Sequence, residues 1–198
     1  MNLDDQVVSV INNRLEAFPD LVATAFVYAL DGTLQTTRRA AVHAAANQFT
    51  NCFAIELPAL LSKVYFVRLE LRNGKNELLS DNFYWRSRDL TDYTTLNTLP
   101  QVALDGAATA HADGEAQTLD VTLHNPSSTV ALAIRLKLLR EGSSGRVLPV
   151  YYGDNYFSLL PGEKRVVKID FARGDLQGEE PRLEVEGWNI DPRKIPID

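Results

Sequence analysis

Apolar and polar residues alternate with a period of two through most of this chain, and turn residues interrupt the alternation at short intervals. The clearest run is Val130, Leu132, Ile134, Leu136 and Leu138, separated by Ala131, Ala133, Arg135 and Lys137. Successive side chains of a strand point to opposite faces, so this spacing predicts a half-buried strand with branched residues inward and charges outward. Leu119, Val121 and Leu123 repeat it, as do Val167, Ile169 and Phe171, and Leu183 with Val185 opens the last such strand, alternating with Glu184 and Glu186. In the first half Phe53, Ile55 and Leu57 alternate, followed by Tyr65, Val67, Leu69 and Leu71. The run from Leu21 to Leu30 is apolar on both faces, which predicts either a central strand or one covered by a neighbour.

Asp31-Gly32, Asn73-Gly74, Glu141 to Gly145 and Pro161-Gly162 supply turns between these runs. About seven strands fall in each half, the spacing of immunoglobulin-like sandwiches. Arg38 to Ala46 is alanine-rich and competes as a helix, but its apolar pattern is weak, and a strand with irregular flanks is the expectation. The stretch RSRDLTDYTTLNTLP, from Arg86 to Pro100, is polar and loses the alternation. The fold expected is all-β, with two consecutive immunoglobulin-like antiparallel β-sandwich domains: 1–90, a linker at 91–100, and 101–198. No residue-by-residue repeat between the halves is visible.

Composition narrows the function. Of 198 residues 45% are hydrophobic and 23% charged, enough apolar material for packed cores. The net charge is -6 and no Lys/Arg cluster occurs, so nothing in the chain supplies the basic stripe that a nucleic-acid partner needs. No apolar run reaches the roughly 18 residues that span a bilayer, which excludes a membrane-spanning helix. Met1 to Val10 lacks the basic and apolar regions of a signal peptide and enters a strand almost at once, like the interior of a longer chain. Cys52 is the only cysteine, which leaves no internal disulfide or thiolate cluster, and a buried structural thiol is expected.

Candidate chemistry is sparse. Glycoside hydrolysis uses two carboxylates about 5–9 Å apart. Asn76-Glu77 matches an acid/base pair only superficially, since it enters a hairpin strand after Asn73-Gly74; Glu184 and Glu186 read as an outward acidic ladder. His43, His111 and His124 lack metal-ligand spacing, and no nucleophile elbow or phosphate loop is present. No catalytic residue, metal or cofactor is expected. The aromatics are the remaining signal: Tyr151, Tyr152, Tyr156 and Phe157 surround Gly153-Asp154-Asn155, and Trp188 stands between Gly187 and Asn189. Rings beside Asp154 and Asn155 suit a sugar, through stacking and hydrogen bonds to hydroxyls. They equally suit a turn whose rings pack inward or against a neighbour.

Three segments resemble one family. Ser80 to Trp85, then Asp92-Tyr93 and Leu99-Pro100, is similar to the junction between the last two sandwich domains of glycoside hydrolase family 2 enzymes. The branch is that of exo-β-mannosidases, exo-β-D-glucosaminidases and mannosylglycoprotein endo-β-mannosidases. Asn125-Pro126-Ser127 resembles the start of its final immunoglobulin-like domain. Val147 to Val150, then Asp154 to Glu163 and Gly187-Trp188-Asn189, resembles the rest of that domain. The resemblance implies a retaining β-glycosidase whose catalytic glutamates lie in a (β/α)₈ barrel upstream of Met1. A barrel alone needs about 250 residues. It implies a periplasmic or secreted parent and leaves the compartment of this chain open. The expected role is non-catalytic: an accessory or structural region whose partners are the parent's other domains, the catalytic barrel first. Tyr151, Tyr152, Asp154, Asn155, Tyr156 and Trp188 are then candidates for docking or for the rim of the substrate site. The alternative is a carbohydrate-binding module using the Tyr151–Phe157 loop and Trp188; an adhesin-like domain fits less well.

Overall fold

A computed structural model describes residues 1–89 and 91–198. Two compact units divide between Leu96 and Asn97. The period-two runs appear as antiparallel strands whose apolar faces meet in a separate core for each unit.

In Met1–Leu96 the strands are β1 (Val7–Asn12), β2 (Phe18–Ala29), β3 (Leu34–Ala44), β4 (Gln48–Ala54), β5 (Val64–Arg72) and β6 (Leu78–Ser87). They form a two-stranded sheet, β1-β4, and a four-stranded sheet, β3-β2-β5-β6. Val8 and Val10 of β1 and Phe53 of β4 face Leu21, Ala23, Ala25 and Val27 of β2 and Tyr65, Val67 and Leu69 of β5. β2 is paired on both edges, which explains its apolar character. The alanine-rich segment is β3: it is registered against β2 from Leu34 to Ala44, and that pairing overrides the helix propensity of its alanines. Gly74 does not take the left-handed backbone at its turn; Asn76 does, at φ 64°. Glu77 there binds Asn73 through its backbone and its carboxylate, at 3.0 and 2.7 Å.

In Asn97–Asp198 the strands are β7 (Asp105–Asp113), β8 (Ala116–His124), β9 (Ala131–Arg140), β10 (Val150–Tyr152), β11 (Phe157–Leu159), β12 (Lys164–Ala172), β13 (Pro181–Gly187) and β14 (Ile190–Ile195). Two four-stranded sheets result, β10-β12-β8-β7 and β11-β9-β13-β14. Leu119, Val121, Leu123, Val167, Ile169 and Phe171 pack against Ile134, Leu136, Leu138, Leu183 and Val185. The split is thus six and eight strands, where seven in each were expected. β10 and β11 have three residues each, too short to show a period, and β14 is buried only at Ile190 and Ile195. β14, not β13, is the last strand.

The long run in β9 is not one uninterrupted face. Ala133 adopts φ 53°, and two residues of β9, Leu132 and Ala133, oppose one of β11, Ser158, since Phe157 pairs with Ile134 and Leu159 with Ala131. This bulge shifts the phase by one. Ala131 joins the core with Ile134, whereas Val130 and Leu132 are buried outside that cluster. The Ala133 N–H donates to the Ser158 hydroxyl at 3.2 Å.

The two units share a topology that the sequences conceal. β1 pairs with β4 as β8 with β12; β2 lies between β3 and β5 as β9 lies between β11 and β13; β6 flanks β5 as β14 flanks β13. A buried asparagine sits at the same point in each. Asn12 donates to Glu16 O, Ala44 O and Ala45 O at 2.8, 3.2 and 2.9 Å and accepts from Arg14 N at 3.0 Å. Asn125 donates to Thr129 O, Leu159 O and Leu160 O at 2.8, 3.0 and 3.3 Å and accepts from Ser127 N at 3.1 Å. The correspondence leaves β7 and β10 without counterparts in the first unit.

Candidate functional site

The loop from Tyr151 to Phe157 joins β10 to β11 and crosses from one sheet of the second unit to the other. β11 is so short that it leaves much of one edge of β9 without a strand. Side chains of the loop fill that edge. The Asn155 amide accepts from Leu136 N at 2.8 Å and donates to Leu136 O at 3.1 Å, as a strand residue would. Two residues on, Leu138 N donates to the Tyr152 hydroxyl at 2.9 Å. Tyr152 packs against the core, and burial pushes its phenol above the ordinary range. Asp154 is ion-paired with Arg165, whose guanidinium lies 5.0 Å from the centre of the buried Phe157 ring. Asp154, Asn155 and Tyr152 are therefore occupied by the fold.

The other three aromatics remain outside. Tyr151 is 67% exposed on β10, on the opposite sheet from β9. Tyr156 is 65% exposed and Trp188 48%. Tyr156 holds φ 60°, a left-handed conformation that costs a bulky side chain of order 1–3 kcal/mol. Its ring centre lies 5.7 Å from the Arg135 guanidinium. Arg135 in turn binds Glu186 at 3.1 Å, and Trp188 follows Glu186 by two positions at the end of β13. The structure thus places Tyr156 beside the outer face of β9 and β13, and Tyr151 on the other sheet.

That outer face carries a ladder of alternating sign. Lys137 bridges Glu186 at 2.8 Å and Glu184 at 3.2 Å, and Arg182 binds Glu184 at 3.1 Å. Glu184 and Glu186 are not a free acidic ladder: the cation between them cancels their repulsion. The Lys137 hydrogen bond holds Glu186 below the usual carboxylate range, and Glu186 raises Lys137 in return. A general acid needs the opposite shift. Arg135, Lys137 and Arg182 are site residues that the sequence reading passed over. Their signal was Arg-x-Lys at 135 and 137 opposite Glu-x-Glu at 184 and 186, two strands of one sheet.

A cavity of about 630 Å³ in the second unit lies elsewhere, and none of the six candidates lines it. Two of its carboxylates, Glu179 and Glu115, serve the backbone. Glu179 accepts from Gly142 N and Ser143 N, both at 2.7 Å, which lowers its pKa, and Glu115 accepts from Gly174 N at 3.2 Å. His111 and His124 pair with Asp120 and Asp105 at 3.2 and 3.0 Å, across the β7–β8 hairpin. Among the described residues no group of three His, Cys, Asp or Glu side chains could hold a metal ion. No described helix is long and apolar enough to cross a membrane. Cys52 is half-buried rather than buried, as the extra residue of a bulge in β4.

Two of the three resembling segments now have physical roles. Asn125 is the buried clamp. Glu163 N donates to Leu160 O, Leu160 N donates to the Glu163 carboxylate at 2.9 Å, and Gly162 at φ 76° donates to Asn125 O. Asn189 accepts from Leu132 N at 2.9 Å and donates to Val130 O and Pro100 O, both at 2.9 Å, holding the bulged end of β9.

Comparison with known proteins follows these motifs. Residues 82–190 match the model of the exo-β-D-glucosaminidase Ig-fold domain, and residues 5–88 match that of the mannosidase Ig/CBM-like domain. An exo-β-D-glucosaminidase of Streptomyces avermitilis is 31% identical over 98% of this chain and 24% of its own length. A mannosylglycoprotein endo-β-mannosidase of Lilium longiflorum is 50% identical over 44 residues, 22% of this chain and 4% of its own. The crystal structure of an exo-chitosanase from Amycolatopsis orientalis superposes with a TM-score of 0.88 at 27% identity, covering 98% of this chain and 25% of that one. The chain spans about a quarter of the length of the glucosaminidases it matches. With that match, that superposition and the clamped motifs, the chain belongs to the family of immunoglobulin-fold accessory domains of the exo-β-D-glucosaminidases.

Proposed function

We propose that the chain is the non-catalytic accessory region of a retaining β-glycosidase of the exo-β-D-glucosaminidase type, and that the Tyr156–Trp188 face of its second unit bears on the rest of that enzyme. One observation carries this reading. Tyr156 is held in a strained backbone conformation, with its ring exposed over Arg135, while Tyr152, Asp154 and Asn155 around it serve the fold. Strain of this kind persists where a side chain must be presented. The carboxylates near the face are neutralised by Arg135, Lys137 and Arg182, so the face offers aromatic contact and a satisfied charge network, not a proton donor.

The test uses the chain and an enzyme of the relatives' length that carries it. The chain alone is expected to release no p-nitrophenol from p-nitrophenyl β-D-glucosaminide. Tyr156→Ala and Trp188→Ala should leave the chain's own stability within about 0.5 kcal/mol, the usual range for surface changes. In the longer enzyme they should lower kcat/KM or the thermal midpoint. Unchanged kinetics and midpoint in both variants count against the reading. Half-exposed Trp188 beside Tyr156 also suits a sugar ring, which keeps a binding module as the second reading. Saturable binding of glucosamine oligomers below about 1 mM, near -4 kcal/mol, lost in Trp188→Ala, favours that module.

A further inference from the structure

Asn73-Gly74 is the single Asn-Gly pair of the sequence, and it stands at the turn between β5 and β6. Asparagine before glycine is prone to ring closure, because glycine has no side chain to shield its backbone nitrogen from the preceding amide carbon. The turn leaves that nitrogen approachable. Gly74 is exposed, and the atoms nearest to the place a Cβ would occupy are the Cβ and carbonyl oxygen of Asp20, at 3.6 and 3.7 Å.

The Asn73 amide is held at both ends. Its oxygen accepts from Lys75 N and Glu77 N, both at 3.0 Å, and its nitrogen donates to the Glu77 carboxylate at 2.7 Å. Ring closure treats these bonds unequally. As Gly74 N attacks Cγ, negative charge gathers on the oxygen, where two N–H groups already point, so those bonds strengthen. Only the bond to Glu77 is lost, because the nitrogen is the group that leaves.

We propose that Asn73 is a site of spontaneous deamidation, and that Glu77 turns the change into a loosening of the β5–β6 hairpin. The Gly74 N–Cγ bond forms and the Cγ–Nδ2 bond breaks; the Gly74 N–H proton passes through solvent to Nδ2, which departs as ammonia. Water then opens the five-membered imide at either carbonyl, giving aspartate or isoaspartate.

Both products disturb the turn. In the aspartate, the oxygen that replaces Nδ2 meets the Glu77 carboxylate where a hydrogen bond of 2.7 Å stood. Like charges so placed repel. The cation next in the chain, Arg72, is engaged by Glu70 and by Asn76 O, both at 2.9 Å. The charges of the turn itself are Lys75, Glu77 and, beside Gly74, Asp20, so a new carboxylate adds to an excess of negative charge. In the isoaspartate, the main chain runs through an extra methylene. The bonds from Asn73 N to Glu77 O, at 3.1 Å, and from Asn76 N to Asn73 O, at 2.9 Å, then lose their register. β6 is the edge of its sheet, held by β5, so its Leu78 end is where the hairpin opens.

Two measurements test this. In the first, the full chain is kept in mildly alkaline buffer and its peptides are mapped by mass spectrometry. Conversion should appear at Asn73 ahead of the other asparagines, as both aspartate and isoaspartate. It should be lost in Gly74→Ala, which the backbone accepts because Gly74 does not use the left-handed region and its Cβ would meet only ordinary contacts. No conversion at Asn73, or an equal rate in Gly74→Ala, overturns the proposed site. In the second, Asn73→Asp stands for the aged chain. With Trp188→Phe in every chain, Trp85 on β6 reports the first unit alone. At low salt the urea midpoint of Asn73→Asp should fall below that of the unaltered asparagine, and the fall should close when both carry Glu77→Gln. No fall, or an equal fall with Glu77→Gln, overturns the part given to Glu77.

Discussion

Asn12 and Asn125 each donate to three backbone carbonyls and accept from one backbone N–H. Replacing either by alanine leaves buried carbonyls without donors, a loss of about 2–4 kcal/mol. Urea denaturation of Asn12→Ala and Asn125→Ala should each show it, and a loss below 1 kcal/mol would contradict the clamp assignment. Lys137 gives a second residue-level expectation with a definite sign. Glu186 sits below its ordinary 4.5 in the folded chain, so its contribution is complete above that value and fades as pH falls through the lower folded one. Lys137 sits above its ordinary 10.5, so its contribution is complete below that value and fades only as pH rises further. The ladder is therefore intact at neutral pH. The stability gap between the wild-type chain and Lys137→Met, measured by urea midpoint, should be wider at pH 7 than at pH 3. At this scale the sequence was least informative. An exposed tyrosine and one whose hydroxyl serves Leu138 N are the same letter, and only the edge of β9 separates Tyr152 from Tyr156.

Strands with a sustained period were legible, and those without one were not. β9 showed itself in the alternation of Val130 to Leu138, yet its bulge was hidden, because Ala133 gives no hint of φ 53°. Alanine tolerates that conformation at a cost of about 1 kcal/mol, which glycine avoids. Ala133→Gly should therefore raise the midpoint slightly. Ala133→Val should lower it by more than about 1 kcal/mol, since a β-branched residue fits the left-handed region worst. If valine is tolerated as well as glycine, the bulge is not rigid. β10 and β11 escaped notice through their length, and β14 because its middle is Asp191, Pro192, Arg193 and Lys194. The helix competitor at Arg38 to Ala46 shows the reverse case, in which pairing with β2 decided what propensity left open.

At the scale of the molecule, each unit has its own core and its own buried asparagine, and we propose that each unfolds separately, with residues 91–100 as the connection. Within that stretch Asp92 is tied to Lys63 and also accepts from Thr94 N at 2.9 Å, which holds the carboxyl well below the usual range. Each unit carries one tryptophan, Trp85 in the first and Trp188 in the second. Urea unfolding of Trp85→Phe and Trp188→Phe chains, followed by fluorescence, should give two different midpoints, and Asn125→Ala should move only the Trp188 signal. A single shared midpoint in all three would show one cooperative body. The amide of Asn155 has a consequence for handling as well as for folding. By occupying both backbone groups of Leu136 it denies that edge of β9 to any other polypeptide. In Asn155→Ala the exposed rung becomes a place where one molecule can stack on the next. Such a sample should scatter light and leave solution on standing, at concentrations where the wild-type chain stays clear.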